Sequence, residues 1–456
     1  FNGMLLVNSK NPFEYQGLSA YYKQGINHIG TSPGEPGSPK PMYEGAIRYA
    51  KAFNNKWAFK ISASFMQAED WYGNNSTDLN AISQGDLPFN PGANLVHTFG
   101  DEVSNNIGLL RNVSAIQQQA NQLGLGAYIG SIPDQVVSRT GYPERNLVDY
   151  GASNYKVNGA LHYRISDNAE VFYSLNYGSG TSIYTGAQRY SLNEFFITQH
   201  KLELKGDNYF VRSYTTRDNS GKSYISDLNG ILINDTWKDN STWFGEYTLN
   251  YLGALANQQV APGSLGTTAQ QVAAHQFARQ QADNGRYLPG SAEFNTTAQN
   301  ISSEYIPGGS LFYDRSRMYL TEGQYDFKNE IDFMDLQVGA SYRIYDLRSN
   351  GTIFADGDGN DITISEIGGY AQATKRLLKE KLKLIGSLRY DKNENFEGQF
   401  SPRISTVFTE NNHNFRLSYQ TGFRMPTTQA QHIDLNVISA RLIAGLPYYR
   451  DKYHTG

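Results

Sequence analysis

The chain of 456 residues sets 39 Lys and Arg against 43 Asp and Glu and contains no cysteine, which excludes disulfide frameworks and thiolate metal sites. Its net charge of −4 is spread without a basic block able to neutralise a phosphate backbone, so no nucleic acid partner is expected. No run of 18 apolar residues exists, which excludes a membrane-spanning helix but leaves a spanning β-barrel open, because a barrel strand needs an apolar residue only at every second position.

In chain order, the opening FNGMLLVNSK has neither an initiator Met nor the charged start and apolar core of a signal peptide, and the closing YYRDKYHTG reads as an unfinished loop. The chain is therefore expected to be a piece of a longer protein. Alternating segments then recur. Trp57, Phe59, Ile61, Ala63 and Phe65 form one apolar set, and Tyr155, Val157, Gly159, Leu161 and Tyr163 form the next. Val171 to Tyr177, Leu336 to Ile344, and Leu382 to Tyr390 repeat the period of two. A soluble sandwich would bury such faces against a second sheet. The connections argue otherwise. Short turns at Asn54-Asn55, Ser166-Asp167-Asn168, Gly206-Asp207-Asn208, Lys328-Asn329-Glu330, Lys379-Glu380-Lys381 and Asn411-Asn412 alternate with longer stretches near 31–41, 69–152, 179–194, 218–311, 356–361 and 393–399. All tight turns thus fall at one end of the sheet and all long loops at the other, as in outer-membrane barrels. The count is about 13 strands, the last being NFRLSYQTGFRMPT at 414–427.

Several residues in these stretches are candidates for chemistry. In SNNIGLLRNVSAIQQQANQLG, Ser104 is a helix cap with Ile107, Leu110, Ile116, Ala120 and Leu123 at helical spacing; in TTAQQVAAHQFARQQADNG the cap is Thr267 or Thr268. The loops are rich in aromatic and amide side chains, and Trp71, Tyr72, Arg189, Tyr190, Trp237 and Trp243 are the candidate ligand contacts, against the alternative that such residues pack the loops together. FADGDGNDITISE offers Asp356, Asp358 and Asn360 in the alternation of a calcium loop, but its Glu366 falls at the eleventh position and the flanks 352–355 and 362–365 read as a hairpin. Calcium is a weak candidate and no other cofactor is expected. The eight histidines show no paired spacing, and no nucleophile elbow or phosphate loop is present, so no enzyme is expected. In the last strand Arg416, Gln420 and Arg424 share the polar face, which is assigned to a lumen because arginine facing lipid at the midplane costs about 2–4 kcal/mol. Phe415 and Phe423 then belong to opposite aromatic girdles.

FNGMLLVNSKNP at 1–12 resembles the end of the plug domain of TonB-dependent outer-membrane receptors, and FSPRISTVF at 400–408, followed by NFRLSYQTGFRMPT, resembles their barrel pair ending Gly-Phe-Arg-x-Pro. NPFEYQGLSAYYKQG and NGRYLPGSAEFN are similar to Bacteroidetes-type receptors related to SusC-like transporters, although the ending Met4-Leu5-Leu6-Val7 departs from the SusC-like form. The resemblance implies an all-β transmembrane antiparallel barrel of 22 strands in the intact protein, with residues 1–12 as the tail of an N-terminal plug and 13–456 as part of the barrel, with long loops near 69–152, 218–311 and 432–456. It implies the cell outer membrane of a Gram-negative bacterium and its lipid as surroundings. The TonB complex, reached through a segment outside this chain, would be the partner, with a surface lipoprotein or other outer-membrane proteins as further ones. The implied function is import of a peptide, glycan or metal chelate into the periplasm. A barrel serving as a scaffold in an outer-membrane complex without transport is the alternative.

Overall fold

The computed structural model describes residues 9–30, 38–186, 188–357, 359–436 and 440–454. Its main sheet has 14 strands, of which 13 follow one another in a single antiparallel path, and the path is not closed. In chain order these are β1 Gly17–Asn27, β2 Lys40–Phe53, β3 Trp57–Glu69, β4 Gly151–Ser166, β5 Ala169–Thr185, β6 Arg189–Gly206, β7 Tyr209–Asn219, β8 Arg317–Asp326, β9 Asp335–Leu347, β10 Ile362–Leu377, β11 Leu382–Asn393, β12 Gln399–Glu410 and β13 His413–Gln420. Most are longer than the 9–11 residues that a bilayer-crossing strand needs.

The cross-strand register puts one apolar set on one face throughout. Trp57 lies opposite Tyr163, Leu161 opposite Tyr173, and Tyr173 opposite Leu202. Further along, Tyr319 faces Ile344, Tyr342 faces Ile367, and Ile404 faces Tyr419. These side chains are exposed rather than buried: Ile61 at 52%, Leu202 at 54% and Leu417 at 73%. A soluble sheet would cover such a face, whereas lipid covers it in a barrel. Trp57 and Phe65, eight residues apart on β3, are separated by roughly 26 Å of strand rise, which matches an apolar band about 25 Å tall between aromatic girdles. The opposite face carries Arg48, Lys60, Lys156, Glu170, Arg212 and Glu366.

The tight turns form as their residues dictate. Asn54, Asn55, Lys379, Glu380 and Asn411 all have positive φ near 50–70°, a region that asparagine tolerates better than most residues. The segment 327–334 is looser than the three-residue turn expected there. The stretch near 179–194 is not a long loop but a hairpin, with β5 and β6 continuing to Thr185 and Arg189 and a bulge between Leu192 and Phe195.

Between β3 and β4, and between β7 and β8, the chain builds a body beyond the sheet end that holds α1 Ser114–Gln122, α2 Ser226–Trp237, α3 Asn240–Asn257, α4 Thr268–Ala282 and α5 Ala292–Ser303. Helix α4 begins at the expected cap, with Thr267 and Gln270 forming a reciprocal capping box. Ser104 does not cap α1: its backbone pairs with Ser138 in a two-stranded ladder, a 3-10 turn over Ile107–Asn112 is capped by Asn106, and α1 starts only after Val113. Helices α2 and α3 were not legible as helices, because their apolar residues cover most of the circumference instead of one stripe; α5, which buries the single stripe of Phe294 and Ile301, was also missed.

Candidate functional site

Four of the residues singled out in sequence converge at the loop end of β3, β5 and β6. The Asp70 carboxylate accepts from Ile183 N at 2.8 Å and Ser182 Oγ at 3.0 Å, and Asp70 N donates to Tyr150 O at 2.7 Å. Tyr72 stacks on Tyr150 with ring centroids 4.3 Å apart. The Tyr150 hydroxyl donates to Glu144 Oε1 at 2.7 Å, and Arg189 forks onto the same carboxylate through Nε at 2.9 Å and Nη2 at 3.0 Å. Glu144 has no solvent exposure. A buried carboxylate without partners would be costly, so the guanidinium and the phenol are what permit it there. Arg189 is thereby committed to structure, and Tyr190 packs into the cluster of Ile225, Leu228 and Ile231. Trp71 differs from its neighbours. Its backbone is held by Asp70 Oδ1 and by Arg189 Nη2, yet its ring is 76% exposed, with His28 6.3 Å away. Glu144 and Tyr150 went unnoticed in sequence, where a glutamate between Pro143 and Arg145 carries no motif.

The two tryptophans expected at a ligand surface lie elsewhere. Trp243 on α3 is fully buried, donating Nε1 to Asp283 Oδ1 at 2.9 Å within the core of Ile107, Tyr247, Leu252 and Ala278. That is a correction: its ring presents no surface to a ligand, because α3 packs along α4 and places it inward. Trp237 closes α2 and packs against the same core, with the guanidinium of Arg139 5.6 Å from its ring centre. Arg139 itself donates to Asn234 O and Asn240 Oδ1, and Arg279 donates to Ser138 O and Pro91 O. These contacts join the 70–150 and 220–311 loops. The same body holds buried ionisable groups. Burial pushes the Asp101 carboxyl up to about 7, with one oxygen accepting from Leu95 N and the other buried without a partner, and it pushes His275 down to about 3.

On the polar face near the tight turns, residues 9–13 lie against the sheet. Lys60 Nζ donates to Ser9 Oγ at 2.6 Å and Lys10 O at 2.9 Å, Asn11 reaches Glu170, and the Arg164 guanidinium covers the Phe13 ring at 4.1 Å. Residues 1–8, with the Met4-Leu5-Leu6-Val7 ending, lie outside the described residues. In the last strand Arg416 and Gln420 lie on one face, exposed and with no side-chain hydrogen bond or ion pair among the described residues. Arg424 lies beyond the strand, which stops at Gln420 and not near Met425. Thr421 N donates to Pro402 O at 3.1 Å, but Pro402 has no N–H to return the bond, and the ladder ends there. Phe423 consequently leaves the girdle position expected for it and lines a cavity with Arg343, Glu366 and Arg389 on the inner wall.

In the calcium candidate, Asp356 accepts from Ser349 Oγ at 2.5 Å, Gly351 N at 2.9 Å and Asn350 N at 3.1 Å, and Asn360 donates to Gly357 O. Asp358 lies outside the described residues. The expected strand at 352–355 is a loop pinned by those Asp356 contacts.

Residues 247–434, from within α3 to past β13, match the family model described as TonB dependent receptor-like, beta-barrel. This stretch carries the signature of a TonB-dependent receptor barrel. No curated protein matches the chain. Among solved structures, the chain is similar to the ferric enterobactin receptor PfeA from Pseudomonas aeruginosa, in a mutant form. The TM-score is 0.47 at 10% identity, covering 91% of this chain and 44% of that one. It is also similar to the siderophore receptor PirA from Pseudomonas aeruginosa, with TM-score 0.45, 9% identity and coverage of 93% and 46%. The FrpB iron transporter from Neisseria meningitidis gives TM-score 0.39, 10% identity and coverage of 88% and 45%. The chain spans less than half the length of these receptors.

Proposed function

We propose that the chain is the first part of the barrel of a TonB-dependent outer-membrane receptor that imports a substrate into the periplasm. The observation that carries this reading is the conjunction of the family match over 247–434 with a register that faces apolar residues outward and charge inward. In this reading residues 1–12 are the end of a plug domain, and TonB acts on that plug from a segment outside this chain. The edge strands β1 and β13 both run from the tight-turn end toward the long-loop end, so an antiparallel barrel closes only through an odd number of further strands. About nine would give the 22 of a plugged outer-membrane transporter.

Substrate docks among the loops, with Trp71 as the exposed aromatic, and binding shifts the plug toward the state that TonB engages. Peptide, glycan and metal chelate are the cargo classes considered. A SusC-like assignment and a lipoprotein lid are part of the same proposal and rest on sequence resemblance alone. The test is cellular. The full-length protein fractionates with the outer membrane and needs detergent for extraction, and its uptake activity disappears in a host lacking TonB; extraction into plain buffer, or uptake that persists without TonB, overturns the proposal.

A further inference from the structure

Between β1 and β7 the inner wall forms a concavity of ≈ 670 Å³ whose lining includes Arg48, Lys156, Asn158, Asn176, Gln199 and Thr216, with no carboxylate among the described lining residues. Its floor is one row of the sheet: Arg48 faces Ser62, Ser62 faces Asn158, Asn158 faces Asn176, Asn176 faces Gln199, and Gln199 faces Thr216. The amides link into a ladder. Asn158 donates to Asn176 Oδ1 at 2.5 Å, Asn176 to Gln199 Oε1 at 3.2 Å, and Gln199 to Thr216 Oγ1 at 3.4 Å. An amide offers two N–H donors, so Asn176 and Gln199 each keep one for a ligand while the rung fixes their orientation.

The charges around this row are unevenly matched. Glu44 above it accepts from Tyr21 and Lys23. Below it Glu170 is held by His162 at 2.6 Å with Lys205 at 3.9 Å, and Glu203 lies 2.6 Å from Lys201. Glu44, Glu170 and Glu203 therefore each have a cation, and Asp218, opposite Ile197 at the β7 edge of the concavity, is the nearby carboxylate that has none among the described residues. Lys156 makes no side-chain hydrogen bond or ion pair among the described residues and Arg48 spends one nitrogen on Tyr15 O at 2.8 Å. A net −4 chain thus shows a cationic, donor-rich stripe on its inner wall, and such a stripe in a low-dielectric wall concentrates anions.

We propose that this wall binds an anionic cargo, a small molecule bearing carboxylate, sulfate or phosphate groups, through Arg48 and Lys156, with Asn176 and Gln199 as orienting donors. The proposal rests on the receptor reading and narrows its substrate to anions. The competing occupant is the chain before Ser9, since residues 9–15 already run beside the row.

The experiment uses the full-length protein in detergent, titrated calorimetrically with inorganic tripolyphosphate and, as the neutral control, maltotriose. Tripolyphosphate is expected to bind with an affinity that weakens as salt rises, maltotriose is not, and Arg48→Gln and Lys156→Gln are each expected to weaken tripolyphosphate about tenfold. Absence of binding, equal binding by the double variant, or preference for maltotriose overturns the proposal. So does a double variant that keeps its affinity but loses protease protection of the chain before Ser9, since the stripe then holds that chain. Outer-membrane fractionation reports separately on the receptor reading, so a protein that fractionates there and ignores tripolyphosphate refutes the anion assignment alone.

Discussion

The Glu144 carboxylate is held by Arg189 and Tyr150 with no access to water, so removing one partner leaves an uncompensated buried charge. Arg189→Ala is expected to destabilise the loop body by about 3–5 kcal/mol, while Glu144→Gln with Arg189→Met together costs less than the sum of the singles; a thermal-unfolding double-mutant cycle measures the difference. Asp101 makes a pH prediction. Its folded value near 7 lies above the unfolded value near 3.8, so the native state binds more protons between the two and stability falls as pH rises from about 4 to 7. Asp101→Asn is expected to flatten that dependence in thermal scans across pH 4–8. His275 acts oppositely: with its folded value near 3 below the unfolded 6.5, its contribution is present above pH 6.5 and is lost as pH falls toward 3. Trp71→Ala, by contrast, is expected to leave the melting temperature unchanged, since its exposed ring packs on little.

At the scale of the strand, neighbouring residues have opposite surroundings. Ile61 is outward and Ser62 inward on β3, so Ile61→Arg is expected to cost about 2–4 kcal/mol in lipid and Ser62→Arg close to none, as read by urea unfolding of the protein in bilayers. The period of two was readable from sequence because one face of the sheet is apolar and the other polar along every strand alike. The end of β13 was not, because alternation runs on through Phe423 and Met425 while Pro402 across the ladder ends the pairing. Helices α2 and α3 were hidden for a related reason: surrounded by other elements, they need no polar face.

Across the whole molecule, the 70–150 and 220–311 loops are one packed body, joined by Arg139, Arg279 and the Trp243 to Asp283 bond. Trp243→Ala is expected to lower the stability of that body by about 3–5 kcal/mol and to accelerate amide hydrogen exchange in both loops together, while β3 and β4 keep their protection. Exchange confined to one loop would show that the two move independently.

Sequence alone determined the sheet, its thirteen-strand path, which face is apolar and which end bears the loops, since each follows from local periodicity and turn chemistry repeated along the chain. It placed Trp71, Tyr72, Arg189 and Tyr190 on a shortlist without reason to group them. Only the tertiary structure decided that Glu144 gathers Arg189 and Tyr150 beneath Tyr72, that Trp243 is core while Trp71 is surface, and that Asp356 pins its own loop. The Arg189 to Glu144 and Trp243 to Asp283 contacts join residues 45 and 40 positions apart, and no local pattern encodes which aromatic ring a distant helix will cover.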